Sequence, residues 1–179
     1  MLPIQYQWLA NEPGPKLLVE MLKLFGTLEK PGAGDNATII AWGVEINVGS
    51  TYSHDSIPWC GLAVGVAAKR AGKEIPKTPL WALAWADFGV AVEVPMLGDI
   101  LTFKRKTPDG KVAGHVGVYV GEDDEAYHVL AGNQSDQVNI ARIVKSRLYR
   151  ARRPIYLNQP ANVRRVMLAS SGRLSANEA

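Results

Sequence analysis

The sequence predicts an α+β fold in which N-terminal helices pack on an antiparallel β-sheet. Apolar residues recur at helical spacing in segments that precede residue 89. From Gly98 onward the period changes to the alternation that is typical of half-buried strands. A turn of hairpin type at residues 107–111 and a charged turn at residues 122–125 separate strand segments. Helices first and a meander of strands second is the order expected for this fold class.

Helices are expected over residues 16–25, 37–45, 59–71 and 80–88. The first has one apolar stripe and is followed by Gly26, a residue type that often ends helices. The third is apolar almost all round, and this pattern predicts a helix buried at the centre of the domain. The last places Trp81 and Trp85 one helical turn apart.

Strands are expected over residues 99–104, 115–120, 126–130, 137–143 and 148–152. In the second strand, His115, Gly117 and Tyr119 should share one face, while three valines share the other. We expect residues 1–156 to form a single domain, because a chain of this length can bury one core. Residues 157–179 are expected to form a C-terminal tail that is partly loose.

The composition excludes several kinds of protein and site. With 47% hydrophobic and 21% charged residues, the chain of 179 residues is globular rather than disordered. One cysteine rules out an intramolecular disulfide, a four-cysteine zinc site and an iron–sulfur cluster. The histidines lack helical i, i+4 spacing, so neither a metal nor another cofactor is expected.

The sequence also bears on location and assembly. No apolar stretch is long enough to span a bilayer. The N-terminus has no basic region followed by a cleavage site, so we expect synthesis in the cytoplasm without a signal peptide. A monomer is expected.

Charge is distributed unevenly along the chain. Residues 1–136 carry 11 basic and 16 acidic residues, a formal charge of −5, whereas residues 137–179 carry 9 basic and one acidic residue, a charge of +8. This basic stretch includes Arg142, Lys145, Arg147, Arg150, Arg152, Arg153, Arg164 and Arg165. It could bind an anionic polymer or lipid, or it could be a solvated face. No helix-turn-helix, zinc finger or RNA-stacking signature accompanies it, so no nucleic-acid partner is expected.

The lone cysteine is the first candidate for chemistry. Cys60 follows a loop that ends in Pro58 and Trp59, and it lies at the predicted start of the buried helix. A helix N-terminus presents N–H groups and a partial positive charge. Both stabilise the thiolate, which is the nucleophilic form of cysteine. The alternative is that Cys60 is a small buried hydrophobe.

His115 is the matching candidate for a general base. It begins the second strand segment, and the small residues Gly114 and Gly117 leave room around it. A cysteine at a helix start and a histidine at the start of a core strand form a papain-like arrangement. The alternative is a histidine on the polar face of an edge strand.

A third side chain should orient the imidazole, and two residues compete for this role. His128 lies within the strand expected to pair with the His115 strand, and Asn133 follows that strand. Strand alternation puts them on opposite faces unless Gly132 forms a bulge. A pair of carboxylates for sugar hydrolysis is a separate alternative, with candidates Glu20, Glu29, Asp55 and Asp99.

Four blocks of the sequence resemble the NlpC-type and CHAP-type cysteine peptidases and amidases. The blocks are PWCGLAV at residues 58–64, GDILTF at 98–103, GHVGVYVG at 114–121 and GNQS at 132–135. They are most similar to a phage and prophage subgroup, as is the loop PGAGDN at 31–36. The resemblance covers roughly residues 15–155, and the order of the blocks makes it more specific than any block alone.

The resemblance implies a papain-like α+β fold and assigns roles within it. Cys60 matches the nucleophile and His115 the general base. Asn133 matches the polar third residue of the CHAP-like pattern and is favoured, while His128 matches the third histidine of the NlpC-like pattern. Gly61 stands where many relatives have alanine, and this difference is expected to be harmless. We expect no second, wall-binding module of the kind that many relatives carry, an arrangement common in phages of Gram-negative hosts.

The implied activity is hydrolysis of an amide bond in the peptide stem of bacterial peptidoglycan. The enzyme would be an endolysin-like endopeptidase or N-acetylmuramoyl-L-alanine amidase that acts in the periplasm of a Gram-negative host after release. Trp59, Tyr52 and Trp85 are expected to line the substrate groove, and the basic stretch could hold the enzyme on an anionic wall or membrane surface. The alternatives are a toxin effector or tail-associated hydrolase of the same fold, a catalytically dead wall-binding module, and a nucleic-acid-binding protein.

Overall fold

The computed structural model describes residues 1–107, 109–170 and 172–176. It confirms the α+β class, with N-terminal helices packed on a six-stranded antiparallel sheet. The helices are α1 (Lys16–Leu22), α2 (Ala37–Glu45) and α3 (Cys60–Arg70), and 3₁₀ segments cover Ile4–Asn11, Ala82–Asp87 and Lys145–Arg147. The strands are β1 (Val90–Ala91), β2 (Ile100–Lys106), β3 (Val112–Glu122), β4 (Ala126–Ala131), β5 (Asn139–Val144) and β6 (Leu148–Arg153).

The strand order in the sheet is β1-β6-β2-β3-β4-β5, and each neighbouring pair is antiparallel. Strands β2 to β5 follow one another as the predicted meander. β6 returns to the free side of β2, and the short β1 pairs with it at the edge. The predicted turn between β2 and β3 closes with a bond from the Thr107 N–H to the Lys111 carbonyl, and Pro108 within it lies outside the described residues.

Two of the predicted helices match closely and two differ. α2 has the predicted bounds, and all residues of α3 from 60 to 68 are buried, as the apolar pattern indicated. The first helix ends at Leu22, and turns then carry the chain to Gly26, whose φ is +84°. The last segment is a 3₁₀ helix of six residues, bounded by extended backbone at Trp81 and Phe88. The Trp85 indole also donates to the Pro79 carbonyl at 3.0 Å, which draws the segment onto the core.

Both faces of the sheet are buried. The helices form the larger core cluster with Val116, Val118 and Val120 of β3, whereas Tyr119 belongs to a smaller cluster with Phe103. The predicted alternation along β3 is therefore confirmed, although both faces turned out to be apolar. Within the described residues, no helix is long and apolar enough to cross a membrane.

The C-terminal residues pack on the domain over much of their length. The Glu122 N–H donates to the Val166 carbonyl, and the Leu168 N–H donates to the Glu122 carbonyl, both within 2.9 Å. Further on, the Ser175 N–H donates to the Arg142 carbonyl of β5 at 2.7 Å. The loose end expected for this tail falls mainly on residues 177–179, which lie outside the described residues.

Candidate active site

Cys60 is the first residue of α3, as the sequence predicted. The first bond of the helix runs from the Ala63 N–H to the Trp59 carbonyl, so the N–H groups of residues 60–62 belong to the open end of the helix. The Trp59 indole donates to Glu29 Oε2 at 3.1 Å and holds this end in place. Cys60 is 3% exposed, so the sulfur lies at the edge of the core and not in a wide opening.

His115 lies in β3 opposite Phe103 of β2 and is 2% exposed. Its Nε2 atom is 3.2 Å from Gln134 Oε1. Gln134 is itself fixed, because its Nε2 donates to the Val129 carbonyl at 3.2 Å and to the Asn139 carbonyl at 2.8 Å. An amide oxygen only accepts, so His115 must carry its proton on Nε2. In the neutral imidazole, Nδ1 is then the nitrogen that can take up a proton.

The side chain that is hydrogen-bonded to His115 is therefore Gln134, which the sequence reasoning missed. Asn133, the favoured candidate, has a left-handed backbone with φ of 57° and forms the turn between Gly132 and Gln134. A residue with left-handed backbone interrupts the alternation of side chains along a strand. The comparison of Asn133 with His128 relied on that alternation, so it could not point to Gln134. The available signal was the GNQS block, which contains Gln134.

The other candidate, His128, belongs to a different network. Its Nδ1 is 2.6 Å from the Tyr6 hydroxyl and its Nε2 is 2.8 Å from Asp123 Oδ2. Asp123 also accepts from Arg142 Nε at 2.7 Å. Burial lowers the pKa of His128, and the hydrogen bond from Arg142 holds the pKa of Asp123 far below its usual range. Because both nitrogens of His128 are engaged in this network, it does not orient His115.

The segment 132–134 lies between the start of α3, which bears Cys60, and His115. A Cβ atom on Gly132 would lie 2.7 Å from the Trp59 ring and 2.8 Å from Ala63 Cβ, so this backbone packs directly on the start of α3. Two residues later, Gln134 binds His115. By alternation His115 lies on the face of the smaller cluster, whereas Cys60 belongs to the larger one. The chain passes from one face to the other beyond the end of β4.

The segment 79–83 also contacts residues next to both Cys60 and His115. A Cβ atom on Gly61, next to Cys60, would lie 2.3 Å from the Pro79 carbonyl oxygen. A Cβ atom on Gly114, next to His115, would lie 2.8 Å from Leu83 Cγ. The same short segment thus packs against the neighbours of both residues. An alanine at position 61 would bring its methyl group against these backbone atoms, so glycine suits the packing of this chain.

The three aromatic residues expected to line a groove lie in the core. Tyr52, Trp59 and Trp85 are each 0% exposed. Burial raises the pKa of Tyr52, whose hydroxyl donates to the Asp55 carbonyl at 3.4 Å. In this structure these side chains support the site from within and do not form a surface that a substrate could touch.

Among the described residues, at least five of the eight basic residues named above form salt bridges with acidic groups of the first 136 residues. The pairs are Arg142–Asp123, Lys145–Glu122, Arg165–Glu122, Arg153–Asp99 and Arg164–Glu12. Much of the charge asymmetry in the sequence is therefore neutralised within the chain. The expectation of an anionic wall or membrane partner stays a prediction.

The four carboxylates considered for sugar hydrolysis each bind a different partner. Asp99 binds Arg153 at 2.8 Å, and its pKa is raised by burial. Asp55 accepts from two backbone N–H groups of the loop before α2. Glu29 binds Trp59, and Glu20 binds Lys23. Within the described ranges, no group of three or more His, Cys, Asp or Glu could hold a metal ion.

Comparisons of the chain with protein-family models, curated proteins and solved structures found no match. The papain-like assignment stays a prediction that depends on the four sequence blocks and on the site geometry described above.

Proposed function

We propose that this protein is a peptidoglycan hydrolase that cleaves an amide bond of the peptide stem by a cysteine–histidine mechanism on a papain-like fold. One observation carries the proposal: Gln134 orients His115, and the backbone next to Gln134 packs on the helix start that bears Cys60. A nucleophile, a base and an orienting acceptor are the three parts that thiol hydrolysis requires.

The hydrogen bond from His115 Nε2 to Gln134 leaves Nδ1 as the base. Cys60 and His115 lie toward different core clusters, so the proposed reaction requires the site to open and bring the Cys60 sulfur to His115 Nδ1. Nδ1 then takes the Cys60 proton and the thiolate attacks the amide carbonyl. The imidazolium then protonates the leaving amine, and water hydrolyses the thioester. In this proposal the Cys60 N–H, at the open end of α3, stabilises the oxyanion, and losing one such donor costs about 100-fold or more in rate.

The direct test measures the release of new amino groups from purified peptidoglycan. Cys60→Ala and His115→Ala should each reduce the rate by at least about 1,000-fold while keeping the fold, because the triad acts as a unit. His54→Ala is the matched control, since its side chain is 66% exposed and pairs with Asp35 at the surface. Full activity of Cys60→Ala would reject the mechanism. Mass spectrometry of the released fragments identifies the bond that is cut.

The burial of both residues favours one competing proposal, a wall-binding module with a dead papain-like core. Cys60 and His115 are only 3% and 2% exposed, so a polymer reaches them only if the site opens. Reaction of the native protein with an aromatic disulfide reagent measures this opening directly, because the chain has a single thiol. Binding to peptidoglycan without release of amino groups, together with an unreactive thiol, would support the dead module.

A further inference from the structure

Trp81 is the large aromatic side chain that the structure leaves at the surface. It is 63% exposed, whereas Trp42, Trp59 and Trp85 are at most 3% exposed. It borders a depression of about 430 Å³, within the range of about 300–1,000 Å³ that is usual for ligand sites. The other lining residues include Glu74, Lys77, Thr78, Asp87 and Phe88.

The depression continues into a second one of about 390 Å³, and the two share Glu74, Phe88 and Gly89. We refer to these two adjoining depressions together as the groove. Adjoining depressions offer contacts to successive units of a polymer.

The position of Trp81 links this groove to the candidate active site. Trp81 lies at the centre of the segment 79–83, whose residues pack on Gly61 and Gly114. A polymer held at Trp81 would therefore lie beside the part of the chain that contacts the neighbours of Cys60 and His115.

We infer that this groove binds a glycan strand and that Trp81 forms its stacking platform. A pyranose ring presents a face of C–H bonds, which packs on the negative face of an indole. The sugar hydroxyl and acetamido groups need both acceptors and donors at the rim. Glu74 and Asp87 provide acceptors, and Lys77 and Thr78 provide donors.

The charge of the groove favours a glycan over nucleic acid, the other polymer that commonly stacks on aromatic side chains. The groove carries two carboxylates, of Glu74 and Asp87, and two ammonium groups, of Lys73 and Lys77, so it offers no excess of positive charge to the phosphates of a nucleic-acid strand. The glycan backbone of peptidoglycan carries no such phosphate charge. The choice of a wall glycan as ligand rests on the proposed function, whereas the stacking site rests on the exposure and surroundings of Trp81.

The test measures binding in the Cys60→Ala background, so that no hydrolysis takes place. The probes are insoluble purified peptidoglycan in a pelleting assay and soluble tetra-N-acetylglucosamine in a calorimetric titration. Adding Trp81→Ala should weaken binding of both by about tenfold or more, because the stacking surface is lost. Trp81→Phe keeps a ring and should retain most of the affinity. Ile4→Ala is the control, since Ile4 is 85% exposed and does not line the groove.

Unchanged binding in Trp81→Ala, with the fold intact, would overturn the inference. It would also be overturned if a single-stranded DNA oligomer bound at Trp81 at least as tightly as the tetrasaccharide. The outcomes separate the two proposals. Glycan binding through Trp81 without amide cleavage by the unmodified protein rejects the proposed function alone, whereas cleavage with no role for Trp81 in binding rejects only this inference.

Discussion

Replacing Gly61 by alanine tests the contact between α3 and the segment 79–83 that underlies the site. The added Cβ would lie 2.3 Å from the Pro79 carbonyl oxygen and 2.9 Å from the Leu80 carbonyl oxygen. These are backbone atoms, so they cannot rotate away as the tip of a side chain can. The segment must move by about 1 Å, and overpacking of this kind costs about 1–3 kcal/mol.

Alanine also has a higher helix propensity than glycine, which returns up to about 1 kcal/mol. We therefore expect Gly61→Ala to lower the free energy of unfolding by about 1–2 kcal/mol. For a chain of this size, that loss corresponds to a melting temperature lower by about 2–8 °C. Wall-degrading activity should fall as well, because Gly61 adjoins Cys60.

Gly65→Ala in the same helix is the matched control. Its Cβ would lie 2.9 Å from Ile46 Cδ1, the flexible end of a side chain, and 3.8 Å from its next neighbours. The Ile46 side chain can rotate away, so the higher helix propensity of alanine is not offset by a collision. The variant should therefore be as stable as the unmodified protein or up to about 1 kcal/mol more stable. Urea unfolding of both variants measures the difference. If Gly61→Ala proves as stable as Gly65→Ala, the collision inferred from the backbone geometry is not real.

Three further predictions concern the polar groups of the sheet. Gln134→Ala should reduce the hydrolysis rate by at least about tenfold and shift the pH–rate profile, because His115 loses the acceptor that fixes its tautomer; an unchanged profile would count against this role. Arg142→Met leaves the buried Asp123 without its cation and should cost about 3–5 kcal/mol in urea unfolding, and a loss below about 1 kcal/mol would contradict it. Since burial lowers the pKa of His128, the unfolded chain binds its proton first as the pH falls, and stability should decline below about pH 6.5. Unfolding midpoints between pH 8 and pH 5 measure this decline, which should be smaller in His128→Gln.

The part of the site that depends on local patterns was predictable. A run of apolar residues after Pro58 indicated a buried helix, and Cys60 is its first residue. The alternation around His115 indicated a strand, and β3 contains it with its valines facing the helices. Helical and strand periods reflect which face of one element is buried, so they can be read without knowledge of the partner.

Other features depended on contacts between distant segments. Trp59 and Trp85 could not be recognised as buried, nor Trp81 as exposed, because all three lie among apolar neighbours in the sequence. The sequence did not show that Arg142 and Arg153 of the basic stretch pair with the acidic residues Asp123 and Asp99. The distribution of formal charge along a sequence does not show which basic and acidic side chains will form salt bridges in the folded protein.

The sequence by itself determined the class of fold, the helix that begins at Cys60 and the strand that holds His115. The tertiary structure alone decided which side chain orients His115, why residue 61 is glycine and which tryptophan faces solvent. The physical reason is the range of the interactions involved. Periodicity and helix ends follow from neighbours within one or two turns, whereas Gln134, Gly61 and Trp81 are defined by segments 18 or more residues away or by solvent.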